Sequence, residues 1–121
     1  MMRKFSKSDK VSDLLRHAVS NALLFELNIE KLKWVTVTEV RVNKDMKVAE
    51  IFYTVLESQV TKDEALELIE KNAYLVKRYI SQNLRLRHTP DLRFKYDDVE
   101  EKASHIEEIL SKLPKRKEDG Q

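Results

Sequence analysis

Glycine is almost missing from this chain, and that scarcity constrains the fold more than any other feature. Of 121 residues only Gly120 is a glycine, and the two prolines are Pro90 and Pro114. Glycine lets backbone N–H groups close around a phosphate and lets a chain turn through positive φ without a steric penalty. Neither a P-loop nor a Gly-x-Gly-x-x-Gly dinucleotide turn can be built from this sequence, which excludes ATP, GTP and dinucleotide enzymes of those classes. The same scarcity leaves long stretches without a helix breaker, so apolar periodicity decides where elements run.

Hydrophobic residues make up 41% and charged residues 36% of the chain, enough for one core beneath a densely charged surface. Cysteine is absent, which excludes a disulfide framework, thiolate catalysis and any Cys-containing zinc site, and fits a reducing compartment. The segment Met1-Met2-Arg3-Lys4-Phe5-Ser6-Lys7 is basic, but charges recur where a signal peptide needs an apolar core. No run approaches the roughly 18 apolar residues of a membrane span. The expectation is a cytoplasmic protein.

From Asp9 to Leu27, Val11, Leu14, Leu15, Ala18, Val19, Ala22, Leu23 and Phe25 recur at spacings of three and four, predicting an amphipathic helix with Ser8 as its N-cap. Trp34 to Val42 and Val48 to Leu56 are β-branched and alternating, and the polar Asn43-Lys44-Asp45 between them predicts an antiparallel hairpin. On its second strand Ala49, Ile51, Tyr53 and Val55 share the face that helices would cover, with Phe52 on the other. Thr61-Lys62-Asp63-Glu64 reads as a capping box, and with no breaker downstream the local pattern predicts one long helix to about Asn83. Thr89-Pro90 enforces extended backbone, after which Leu92, Phe94 and Tyr96 alternate with Arg93 and Lys95 as a third strand. A last helix is predicted from Asp98 to Leu113, with Ala103, Ile106, Leu110 and Leu113 as its apolar seam and Pro114 as its stop.

The formal net charge of +2 conceals a segregation along the chain. Residues 1–16 hold five basic and two acidic groups, residues 74–96 six and one, and residues 97–113 two and six. The cations are Arg3, Lys4, Lys7, Lys10 and Arg16 in the first block, and Lys77, Arg78, Arg85, Arg87, Arg93 and Lys95 in the second, with His88 among them. Such clusters are the footprint of a phosphate-binding face if folding brings them together, and ordinary solvation of a charge-rich protein if it does not.

The run Asn83-Leu84-Arg85-Leu86-Arg87-His88-Thr89-Pro90-Asp91-Leu92-Arg93-Phe94-Lys95-Tyr96, followed by Glu101-Lys102-Ala103-Ser104-His105-Ile106, resembles the signature end of the ribosome-binding factor A family. Val37 to Val42, Asp45 to Tyr53 and Leu75 to Ile80 add to the likeness, which covers most of residues 5–110. It implies an α+β, KH type II-like fold in the order α-β-β-α-α-β, a three-stranded sheet covered by helices on one face, plus a C-terminal helix. It also implies binding to the small (30S) ribosomal subunit and 16S rRNA during late maturation. In that family a kink, usually Ala-x-Gly, separates the two central helices. Here the stretch is Asn72-Ala73-Tyr74, with tyrosine in the glycine's place. Lysines at positions 4, 7 and 10 stand where the family tends toward arginine, keeping the charge but losing forked phosphate contacts.

The expected RNA-binding set is therefore Arg3, Lys4, Lys7, Lys10, Arg16, Lys77, Arg78, Arg85, Arg87, His88, Arg93 and Lys95. For Arg85, Arg87, Arg93 and Lys95, the competing expectation is that one or two pair with the acidic C-terminal helix. Trp34, Tyr53, Phe94 and Tyr96 read as packing residues, and Phe52 as an exposed aromatic. His17 and His105 lack ligand spacing, and carboxylates have no nucleophile beside them, so neither a metal, a cofactor nor catalysis is expected. The organisation expected is a basic segment over 1–8, an RNA-binding domain over 9–97, a C-terminal helix over 98–113 and a flexible tail over 114–121 that carries Lys115, Arg116 and Lys117. A monomer is the default. The rival readings are a protein-interaction adaptor using the acidic C-terminal helix and Phe52, and a DNA-binding protein using the same basic face.

Overall fold

The computed structural model describes residues 6–113. Its first helix, α1 (Lys7–Asn21), continues into a π-helical turn at Ala22–Glu26, and a 3-10 turn at Glu30–Trp34 leads into the sheet. Strands β1 (Val35–Val42) and β2 (Val48–Val55) form the hairpin, followed by α2 (Lys62–Asn83), β3 (Asp91–Tyr96) and α3 (Val99–Lys112). Arg3 and Lys4, like the tail beyond Leu113, lie outside the described residues.

Each helix start has a local chemical cause. Ser6, not Ser8, caps α1: its hydroxyl accepts from Asp9 N at 3.1 Å while Ser6 N donates to the Asp9 carboxylate at 3.1 Å. Ser8 fails as a cap because it already lies within the first turn, where its hydroxyl meets that of Ser6 at 2.9 Å. The Thr61–Glu64 box forms as its spacing predicts, with both reciprocal bonds at 3.1 Å. Helix α2 then runs unbroken through Asn72-Ala73-Tyr74. Where the resemblance implies two helices, the chain makes one, as its local pattern predicts. Ala73 is a strong helix former, and Asn72 Nδ2 donates to Leu68 O at 2.8 Å, so the stretch supplies no reason to leave the helix.

The sheet order is β1-β2-β3. Strand β2 is central, antiparallel to β1 and parallel to β3, with Val48 beside Asp91 and Tyr53 beside Tyr96. A bulge at Thr38 shifts the β1 register between Val37 and Glu39. Helices α1 and α2 cover one face, where Ala49, Ile51 and Tyr53 meet Leu15, Val19, Leu23, Ile69, Val76 and Ile80, all buried. Each of the larger aliphatic side chains there contributes roughly 1.5–3 kcal/mol by leaving water. Tyr96 closes on Tyr53 edge-on, with ring centroids 5.6 Å apart.

Two aromatic expectations change. Trp34 ends the 3-10 turn before the strand begins and stays 38% exposed. Phe52 points away from the helices as alternation requires but is half-buried, because the Arg41 guanidinium lies 5.0 Å from its ring centroid. With glycine unavailable, Asn28 (φ 51°) and Met46 (φ 58°) take the left-handed positions. Asparagine tolerates this; methionine at the hairpin turn does so at a local steric cost.

Candidate nucleic-acid interface

One end of the sheet gathers segments that are far apart in sequence. The β1–β2 turn is closed by Asn43, whose side-chain oxygen accepts from Lys47 N and Val48 N, both at 3.0 Å. Because β3 runs parallel to β2, its first residue lands beside that turn, and Asp91 N donates to Lys47 O at 2.8 Å. The last turns of α2 come down onto the same place, with Lys77 Nζ 2.9 Å from the Asp91 carboxylate. The N-terminal half of α1 is tied alongside by Val42 N donating to Ser12 Oγ at 3.2 Å.

Between α2 and β3 the backbone alternates anchors with cations. Leu84 and Leu86 pack against the core and Pro90 is fully buried, while Arg85, Arg87 and His88 are exposed. The cations of this end are Lys7 and Lys10 on α1, Lys44 and Lys47 in the hairpin turn, Lys77 and Arg78 on α2, and Arg85 and Arg87 in the loop. Except for Lys77, none of these enters an ion pair among the described residues. Long cations without carboxylate partners remain available to phosphate.

Other members of the expected set are placed differently. Arg16 sits further along α1, 3.0 Å from Asp13, and lines a groove of about 790 Å³ against Thr38, Glu39 and Val40. Arg93 and Lys95 both lie on the helix-free face of the sheet, Arg93 beside Glu50 in the register and Lys95 bonded to the Glu50 carboxylate. Lys95 first, with Arg41 and Arg93 further off, holds that carboxyl below its usual value. Lys77 likewise holds Asp91 below the usual range, chiefly through its hydrogen bond. Both partners belong to the sheet, so the expected pairing with the acidic helix does not occur among the described residues. That helix contacts the body through Lys62, 2.7 Å from Glu101 and 4.6 Å over the Tyr96 ring.

Sequence reading missed Lys44 and Lys47. Their turn holds Asp45 as well, so a count along the chain dilutes them; the usable signal was that a parallel β2–β3 pair must set the hairpin turn beside the loop entering β3. Among the described residues no group of three or more His, Asp or Glu side chains gathers as a metal would require. No helix among them is long and apolar enough to cross a membrane.

Comparison with known proteins places this arrangement. The family model for ribosome-binding factor A matches residues 7–110. A ribosome-binding factor A from Geobacter metallireducens is 33% identical over 109 residues, covering 90% of this chain and 92% of the relative. One from Macrococcus caseolyticus is 32% identical over 111 residues, covering 92% and 97%. Among solved structures, the crystal structure of ribosome-binding factor A from Thermus thermophilus superposes with a TM-score of 0.66 at 20% identity, covering 75% of this chain and 97% of that one. A homology model of the Thermus thermophilus ribosome-binding factor A, as fitted into a cryo-EM map of its 30S complex, gives 0.59 at 21% identity, covering 71% and 90%. At such identities the structural likeness is one of fold, the KH-like α+β arrangement.

Proposed function

This chain belongs to the ribosome-binding factor A family, and on that premise we propose that it binds the small (30S) ribosomal subunit and its 16S rRNA and assists late subunit maturation and rRNA processing. It acts in the cytoplasm, by holding an RNA conformation through charge and shape, without catalysis or a cofactor. What supports this reading is the cationic end, with Lys7, Lys10, Arg78, Arg85, Arg87, His88 and the two turn lysines, Lys44 and Lys47, exposed on the segments that converge there, and Arg93 added from the helix-free face of the sheet. The RNA-binding unit is residues 9–97. Arg16, Lys77 and Lys95 add to the interface only by exchanging a carboxylate for a phosphate. A relative from Thermus thermophilus whose coordinates were fitted to a 30S complex supports the choice of partner.

Affinity built on such contacts falls steeply with salt, because each phosphate neutralised releases counterions. Co-sedimentation of the protein with small subunits across a salt series tests this, and Arg85→Ala with Arg87→Ala together should weaken it about tenfold without unfolding the domain. Association insensitive to salt would remove the cationic end from the mechanism.

A second reading is favoured by one observation. Along α3, Val99, Ile106, Leu110 and Leu113 are each more than half exposed, so the helix keeps an apolar seam without a partner among the described residues. An adaptor role, in which this acidic helix docks another protein, would show as a pull-down that survives ribonuclease and is lost on Ile106→Ser with Leu110→Ser.

A further inference from the structure

The outward ridge of α2 carries an aromatic ring that the core does not use. Ala65, Ile69, Val76 and Ile80 bury the opposite side of the helix, whereas Tyr74 is 67% exposed. Its neighbours on the ridge carry both signs, with the exposed Glu70 four residues before it. Glu67 lies further to the N-terminal side, while Lys71 lies three residues before it and Arg78 four after it. At those spacings helical side chains are neighbours, with Cβ atoms roughly 5–6 Å apart. Lys71 and Arg78 are both exposed, and neither forms an ion pair among the described residues.

An aromatic face between two unpaired cations matches the recognition chemistry of single-stranded nucleic acid. Every unpaired base offers a π-face to stack, and the phosphates on either side of it need positive charge. A protein-docking ridge would set apolar side chains around the ring, and here its helical neighbours are charged. The platform is also rigid: α2 is capped at Thr61 and runs as one helix past Asn72, so the ring is held on a helix rather than on a loop.

We propose that Tyr74 is the stacking platform for an unpaired RNA base at the border of the cationic end, with Lys71 and Arg78 holding the flanking phosphates. The inference rests on the RNA-binding reading above and adds to it: the bound RNA presents at least one base outside a helix. A fully paired duplex engages the cations but leaves the ring unused, since its base faces are already stacked.

The test is fluorescence anisotropy at fixed salt with two RNA probes, a hairpin with a single-stranded pyrimidine loop and a fully paired duplex of the same length. Tyr74→Ala and Tyr74→Leu should lose about 5- to 150-fold in affinity for the looped probe. Both should bind the duplex within about twofold of wild type, and Tyr74→Phe should match wild type on both probes. Circular dichroism should show unchanged helix content, since position 74 is exposed. If wild type binds the looped probe in a salt-dependent way and Tyr74→Ala binds it equally well, Tyr74 is not a platform although the RNA-binding reading stands. Equal losses on looped and paired probes overturn base stacking as well. If wild type binds neither probe nor the small subunit, the RNA-binding reading fails and takes this inference with it.

Discussion

The two ends of the three-stranded sheet are both rich in charge and use it in opposite ways. At the end that holds the hairpin turn, lysines and arginines stand exposed with carboxylates tied to few of them. At the other end the cations are spent on neighbours: Lys31 bonds Glu64, Lys62 reaches Glu101 and Glu57, Lys33 faces Glu30, and Lys102 faces Asp98. The net charge of +2 therefore hides a polar molecule, with cations largely unpaired at one end and an electrostatically satisfied surface at the other. Pairing, rather than the number of charges, separates a binding face from a solvated one.

The largest expected effect tests that polarity directly. Replacing Lys44, Lys47, Arg85 and Arg87 together by alanine should weaken small-subunit binding on the order of 100-fold near 0.1 M salt. The log–log salt dependence should flatten by about 0.7–0.9 for each phosphate that the variant no longer neutralises. Removing Lys31, Lys62 and Lys102 at the opposite end should change affinity by less than about twofold, because those cations already face carboxylates. Equal losses from the two sets would break the comparison.

A smaller effect belongs to the satisfied end and should appear in stability alone. Thr61→Ala removes the hydroxyl that caps α2 and should cost about 1 kcal/mol in chemical denaturation while leaving RNA affinity unchanged. The same corner sets an acid limit. The Lys31 ammonium first, and the Thr61 N–H next, bring the Glu64 carboxyl from its usual 4.5 to about 2. Since the folded value is the lower one, the stabilisation is complete above the usual value and is lost as pH falls through about 2. Asp97, held down chiefly by the Thr38 hydroxyl, acts in the same direction. Lys31→Met should shift the acid-unfolding midpoint to higher pH, and an unmoved midpoint would show that the Lys31–Glu64 pair does not contribute.

How much of this was legible follows from which interactions are local. The capping box at Thr61, the apolar stripe of α1 and the alternation Ala49-Ile51-Tyr53 are short-range patterns, and each became the element it predicted. The unbroken α2 is instructive, because local propensity across Asn72-Ala73-Tyr74 gave the observed helix where analogy implied a break. What sequence could not show is who pairs with whom across the sheet. Lys95 and Arg93 read alike on the third strand, and the register sets Arg93 directly beside Glu50, yet it is Lys95, two residues on, that bonds this carboxylate, leaving Arg93 without an ion pair among the described residues. Arg41 covering Phe52 is equally non-local, set by the β1 bulge that places Glu39 rather than Thr38 opposite the ring. Lys44 and Lys47 joined the site only through the parallel strand that brings Asp91 to the turn.

The smallest effect sharpens the boundary between the two regimes, because Asp91, one of the carboxylates at the cationic end, ties up one of its lysines. Its folded-state pKa lies below the usual 3.8, with the Lys77 hydrogen bond as the main cause, so the pair stays intact throughout the neutral range. Asp91→Asn keeps the shape of the side chain and the backbone bond to Lys47, removes one negative charge and frees Lys77. RNA affinity should rise about two- to threefold, and the salt dependence should steepen by up to about one phosphate. Glu50→Gln performs the equivalent operation on the helix-free face of the sheet, freeing Lys95 at a distance from the turn. Its affinity should stay at the wild-type level. The reverse outcome, a gain with Glu50→Gln and none with Asp91→Asn, would move the RNA surface onto the open face of the sheet, with Arg93, Lys95 and the Arg41–Phe52 stack as its centre.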